Sequence, residues 1–327
     1  MSTNILAFAE RVGGELPESS LEVIEEAALQ AKKARATSVA VFMGATPEEQ
    51  IAEAFGRGVD TVCVCGDPLL DEFNVERYLD AFESVCDTYK PKMLLFSATP
   101  NGSCTASRLA IRKGYKFSSE TVSITFLPEG GITITRGCML GKVHQVSTYT
   151  GSENIIVTMP PGSIGVGDAK KRTGELVQQE TSLTTAPRTT VQGVVKANAE
   201  TLTLDEAEII VAGGNGFSSE EDYELIWALG KTLNAAVGGS KPTVDKKWLP
   251  RHRLVGQSSG RRLSPNIFIA AGISGSSYFL DGMKDSRYII GINKDKGAPI
   301  MQKSDLALVG DVHEILPAVQ RMVAEEE

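Results

Sequence analysis

Short apolar runs rich in β-branched residues alternate with longer amphipathic runs from the N-terminus onward, at the spacing of βαβ units. NILAFAE reads as a strand. Ser19 to Arg35 reads as a helix, because Leu21, Ile24, Ala28 and Ala31 recur at three and four behind a Ser/Pro/Glu opening that serves as a cap. SVAVFMG, TVCVCG and KMLLFSA are three further strands, separated by the helices PEEQIAEAFGRG, with Pro47 in its first turn, and NVERYLDAFESVCDTY. Such alternation requires parallel strands with right-handed crossovers, which predicts a doubly wound α/β domain with ligands near the strand C-termini. SITFLPEGGITITRG breaks the pattern. Its two alternating runs, joined through Pro128, Gly130 and Gly131, predict a hairpin that gives the parallel sheet an antiparallel flank.

From about Lys170 to Leu204 the helical period lapses into Thr, Gln and Lys, and this region contains the linker. The expected division is an N-terminal α/β domain at 1–190, a linker at 191–204 and a second α/β domain at 205–327. In the second domain AEIIVAGGNGFSS, a helix from Glu220 to Leu233, AAVGGSKP, NIFIAAGISGSS, RYIIGINKD and LALVGDVHEILPAVQRMV restart the strand–helix alternation. Two of its strands stop at glycine-rich turns, GGNGFSSEED and ISGSSYFL. Glycines permit close backbone approach, and unpaired amides at a helix start favour a diphosphate. Two such ends side by side suit a dinucleotide, although GGNGFSS lacks the full G-x-G-x-x-G spacing. A third end places Asn293, Lys294 and Asp295 together after an apolar strand, where doubly wound folds hold ligands.

Composition narrows the function. With 327 residues, 42% hydrophobic and 23% charged, the chain is long enough for two globular domains. The net charge of −8 and scattered Lys and Arg exclude a nucleic-acid footprint. No run of about 18 apolar residues predicts membrane insertion and the N-terminus lacks a signal-like pattern, so a cytoplasmic location is expected. Five cysteines without a CxxC pair and three histidines without a second ligand at metal spacing point away from a disulfide framework and a metal centre. Cys63 and Cys65 alternate in a buried strand. TPNGSC is read as a strand–turn–helix junction, the alternative being an anion site at the helix start. The basic stretch Lys246 to Arg253 is read as a solvated loop, the alternative being an RNA or partner patch.

One stretch is more specific. GQSSGRRLSPNIFIAAGISGSSYFLDGMKDSRYIIGINKDKGAPIMQKSDLALVGDVHEILPAV, Gly256 to Val319, resembles the FAD-binding region of electron-transfer flavoprotein alpha subunits. VAGGNGFSSEEDYELIWALGKTLNAAVGGSKPTVD resembles the preceding strand, helix and loop of that family, and the first domain resembles it at SVAVFMG, KMLLFSATPNG and VTMPPGSI. The resemblance implies a Rossmann-like (DHS-like) second domain that holds FAD and a first domain that packs on a homologous beta subunit. It also implies an electron carrier rather than a substrate-converting enzyme, with an acyl-CoA type flavin dehydrogenase as donor and a further acceptor.

Carried onto this sequence, the resemblance puts Gln257 and Ser258 beside the flavin ring, Ser258 supplying the hydroxyl near N5. Gly272, Ser274, Gly275 and Ser276 would meet the diphosphate, Asn293, Lys294 and Asp295 stand as in the family, and Asp311 would lie near the ribose and adenosine. The departures fall where the family tunes its flavin. Asn215 replaces an arginine that faces the diphosphate, Lys241 after Ser240 replaces an arginine beside the ring, and Tyr278 and Phe279 replace a Gln-His pair whose histidine reaches the flavin O2. A cation about 4 Å from a negative ring is worth roughly 4 kcal/mol at an effective dielectric of about 20. Lys241 is expected to keep most of that while lacking the arginine fork. A flavin-free paralogue that serves as an adaptor subunit is the alternative that these departures raise.

Overall fold

The computed structural model describes residues 4–127, 131–139, 143–151, 154–193, 198–260 and 263–326. The chain divides into two compact units, Met1–Val194 and Val195–Glu327.

In the first unit β1 (Asn4–Phe8), β2 (Thr37–Met43), β3 (Thr61–Cys65) and β4 (Met93–Ser97) pair in parallel. Their side chains alternate between two apolar layers. Ile5, Ala7, Met93 and Leu95 face Val23, Ile24, Ala27 and Ala31 of α1 (Glu18–Ala34), and Ala54 and Phe55 of α2 (Glu48–Gly56) belong to the same layer. Leu6, Phe8, Leu94 and Phe96 face α3 (Val75–Tyr89) and α4 (Pro100–Lys113), with Phe8 edge-on to Phe82 at 5.2 Å. Asn74 and Thr99 cap α3 and α4, accepting from Arg77 N and Gly102 N. The start of α1 differs from expectation: Pro17 stands at the cap and makes no side-chain bond. Cys63, Cys65 and Cys86 are buried free thiols.

The sheet is wider than the pattern predicted, with the order β10-β3-β2-β1-β4-β9-β5. It gains β5 (Lys116–Ser118), β9 (Ile155–Met159) and β10 (Glu175–Gln178), all parallel to their neighbours. The last lies within the stretch whose polar composition suggested only linker. It is an exposed edge strand, held by four ladder partners on β3, and such a strand carries little apolar signal. The hairpin forms, β6 (Thr121–Phe126) with β7 (Ile132–Cys138), and gains β8 (Val143–Tyr149). These strands make a separate three-stranded sheet instead of extending the parallel one. The turn residues Pro128 and Gly130 lie outside the described residues.

The second unit is a five-stranded parallel sheet in the order β12-β11-β13-β14-β15, formed by Ala236–Gly239, Ile209–Gly213, Ile267–Ala271, Tyr288–Asn293 and Leu306–Val309. This is the doubly wound order 2-1-3-4-5, whose direction reverses between β11 and β13. Helices α5 (Glu220–Thr232), α6 (Lys241–Asp245), α7 (Ser277–Met283), α8 (Pro299–Lys303) and α9 (Val312–Glu326) connect and cover the strands. Among the described residues no helix is long and apolar enough to cross a membrane.

Candidate functional site

Because the five strands are parallel, their C-termini open at one edge of the sheet. Glycines let the turns there touch backbone to backbone. Gly214 N donates to Ala271 O at 3.0 Å and Gly216 N to Gly272 O at 2.9 Å, across the point where the strand order reverses. A Cβ at Gly214 would lie 2.5 Å from Gly272 O, and one at Gly216 would lie 2.7 Å from Gly272 Cα. No side chain fits between these loops.

The other ends are stitched on in the same way. Buried Tyr223 of α5 accepts from Gly213 N and donates to Gly238 O, which ties β11 to β12, and burial raises its pKa. Ser240 N donates to Gly213 O, Gly310 N to Asn293 O, and Asn293 Nδ2 to Ile273 O at 2.8 Å. Asp295 Oδ1 accepts from Gly297 N and so rounds off the β14 turn. Gly256 packs directly on Gly282 of α7, where a Cβ would stand 2.5 Å from Gly256 Cα. That contact brings the single turn Gln257–Ser259 beside Tyr278.

Charge along this edge is mostly paired. Lys241 Nζ lies 2.7 Å from Asp245 Oδ2, and Lys294 Nζ lies 2.8 Å from Asp311 Oδ2. The same Asp311 accepts from His313 N, and its Oδ1 lies 2.6 Å from His313 Nδ1. His313 Nε2 reaches Asp222 Oδ1 at 2.6 Å, while Asp222 Oδ2 accepts from Ser218 N. The bonds from Lys294 and then His313 hold the Asp311 carboxyl below its ordinary range. The bonds to Asp311 and then Asp222 raise the pKa of His313. With a carboxylate on each ring nitrogen, His313 is a clamp between the α5 start and the β15 turn and has no nitrogen left for proton transfer.

Most residues expected from the sequence lie along this edge: Asn215, Ser240, Lys241, Gln257, Ser258, Gly272, Ser274, Gly275, Ser276, Tyr278, Asn293, Lys294, Asp295 and Asp311 stand at strand ends, turns or helix starts. Phe279 and Lys241 each have a partner within the protein. Phe279 is only 4% exposed and lies edge-on to Phe268 at 6.0 Å, so its ring belongs to the core and Tyr278, 66% exposed, is the ring on the surface. The Lys241 ammonium is balanced by Asp245, one helical turn away, and does not stand as an unpaired cation. Sequence reasoning missed Asp222, Tyr223, Lys246 and His313. Only the i, i+2 spacing of Asp311 and His313 was visible in the chain, since Asp222 and His313 are 91 positions apart.

The donor set at this edge consists of backbone amides, serine hydroxyls and ammoniums, while Asp222, Asp295 and Asp311 are all engaged with protein donors. Such a set fits a diphosphate-bearing dinucleotide, FAD included. Among the described residues it contains no nucleophile paired with a free base. The polar cleft of the first unit, lined by Glu25, Arg57, Asp60 and Arg172, is also self-paired, with Arg57 bonded to Glu53 and Arg172 to Asp60.

Two family descriptions match the chain. Residues 5–184 match the electron transfer flavoprotein domain, and residues 203–284 match the electron transfer flavoprotein FAD-binding domain. The chain is 31% identical over 318 residues to the electron transfer flavoprotein subunit alpha of Clostridium acetobutylicum, covering 96% of this chain and 94% of that protein. It is 33% identical over 315 residues to Protein FixB of Clostridium saccharobutylicum, covering 96% and 94%. To the electron transfer flavoprotein subunit alpha of Bacillus subtilis it is 30% identical over 318 residues, covering 97% and 96%.

Proposed function

The chain belongs to the electron transfer flavoprotein family, as an alpha-type subunit with an FAD-binding domain, and from that premise we propose how it works. It forms a heterodimer with a beta subunit in the cytoplasm and carries electrons from a flavin-linked dehydrogenase, of acyl-CoA type, to a further acceptor. FAD lies along the C-terminal edge of the second-unit sheet. The observation that carries this reading is the backbone contact of the Gly214–Gly216 and Gly272 turns at the point where the strand order reverses.

When bound, FAD supplies the redox chemistry, and the protein supplies binding, orientation and electrostatics. The amides and hydroxyls of Asn215, Gly272, Ser274, Gly275 and Ser276 hold the diphosphate. Ser240, Lys241, Gln257, Ser258 and Tyr278 frame the flavin ring, and Ser258 stands exposed on its turn as a hydroxyl donor. Asn293, Lys294, Asp295 and Asp311 hold the adenosine end, with Lys294 kept in place by Asp311. No acid, base or nucleophile is required of the chain.

The test is the flavin content of the heterodimer co-expressed with its beta subunit. FAD released by acid and absent when this chain's second unit is removed supports the reading. A colourless heterodimer that also fails to take up added FAD refutes it.

A further inference from the structure

A diphosphate at the β11–β13 turns must be met by positive charge, and α5 offers less than most helix starts. Glu220, Glu221 and Asp222 fill its first turn and offset the positive potential of the helix N-terminus. Lys241 and Lys294 are each balanced by a carboxylate. Lys246 is placed differently. It stands exposed at the C-cap of α6, and its ammonium donates at 2.8 Å to the side-chain oxygen of Asn215, within the glycine turn itself. That partner is a neutral amide, so the positive charge is not cancelled. The ammonium also lies 4.3 Å from the centroid of the Trp248 ring. Trp248 in turn packs at 6.0 Å on Tyr223, the residue that ties β11 to β12, so the lysine rests on a rigid support.

We propose that Lys246, held by Asn215 and Trp248, is a cofactor-binding residue whose ammonium neutralises the FAD diphosphate. The proposal rests on the reading that this edge holds FAD. An amide oxygen competes with a phosphate far more weakly than a carboxylate does, so the ammonium can engage the phosphate without first breaking an ion pair. The side-chain ends of residues 215 and 246 meet, and a cation carried from either position reaches the same place.

The test uses the heterodimer stripped of flavin and titrated with FAD by fluorescence quenching, from about 50 mM to about 500 mM salt. Lys246→Met weakens FAD binding about tenfold, equivalent to about 1.4 kcal/mol. It also flattens the salt dependence and leaves the melting temperature of the FAD-free protein unchanged. Lys246→Arg retains affinity, and Asn215→Arg in the Lys246→Met background recovers both affinity and salt dependence. Unchanged affinity in Lys246→Met overturns the proposal. So does a loss with unaltered salt dependence that neither arginine variant recovers, which is the mark of a purely structural role. Wild-type protein that binds no FAD overturns the site as a whole and is thereby distinguished from a failure of Lys246 alone.

Discussion

Gly282→Ala separates the support of the cofactor edge from the stability of the helix that carries it. Gly282 lies inside α7, and an added Cβ would stand 2.5, 2.6 and 2.9 Å from Gly256 Cα, N and C. All three are backbone atoms, so no side chain can swing away. Carbon contacts relax at about 3.5 Å, and the two segments must therefore part by about 1 Å. Overpacking of this kind costs about 1–3 kcal/mol, against which alanine gains about 1 kcal/mol over glycine in a helix. The net loss of stability is small, about 2 kcal/mol at most. The displacement is not small, because it falls on the turn that carries Gln257 and Ser258, and moving a bond of about 2.8 Å by about 1 Å breaks it. Gly282→Ala is expected to melt within a few degrees of wild type and to bind FAD at least about tenfold more weakly. Ser277→Ala, exposed on the same helix, is the control and should bind normally. A Gly282→Ala protein that gains stability and keeps wild-type affinity for FAD would refute the reasoning.

Two further outcomes follow from the geometry. Pairing raises the His313 pKa above its ordinary 6.5, so its stabilisation is complete below about pH 6.5 and fades as pH rises through the raised value. Asp311, lowered from 3.8, contributes above that pH and loses its contribution on acidification through the lowered value. His313→Ala should therefore cost more in a thermal melt at pH 5.5 than at pH 9, and an equal loss at both would count against the clamp. Phe279→Ala should cost about 3–5 kcal/mol in denaturant unfolding, as a core aromatic does, whereas Tyr278→Ala should stay within about 0.5 kcal/mol. The opposite ranking would return Phe279 to the cofactor.

Strands such as β3 and β11 were legible because buried parallel strands are apolar on both faces, as in TVCVC and IIVAG. The glycine turns were legible for a related reason: a glycine directly after such a strand marks a close approach, and Gly214 and Gly272 are in contact. What the chain concealed depended on distant pairs. β10 is a polar edge strand recognised only by its ladder to β3, and His313 finds Asp222 across 91 positions. The inward turn of Phe279 was hidden for another reason. Its neighbour Tyr278 occupies the exposed position on the short helix, and which of two adjacent rings turns inward is decided by Phe268 on the strand beneath.

Binding and tuning are separable at this edge because different atoms carry them. The turns are joined through the backbone of Gly214, Gly216, Gly256, Gly272 and Gly282, so exchange of the charged side chains around them is expected to leave them in place. The field is set by those side chains, and pairing weakens it. A lone cation about 6 Å from a negative group is worth about 3 kcal/mol at an effective dielectric of about 20, and a carboxylate about 3 Å further along the same line takes back about 2 kcal/mol. A paired lysine such as Lys241 therefore keeps about a third of that field, whereas Lys246, bonded to an uncharged amide, keeps all of it; solvent screening at these exposed positions lowers both, leaving about 1.4 kcal/mol for Lys246. Losing the Lys246 charge should thus weaken the hold on the diphosphate, while freeing Lys241 by Asp245→Asn should change the potential of the flavin more than its affinity.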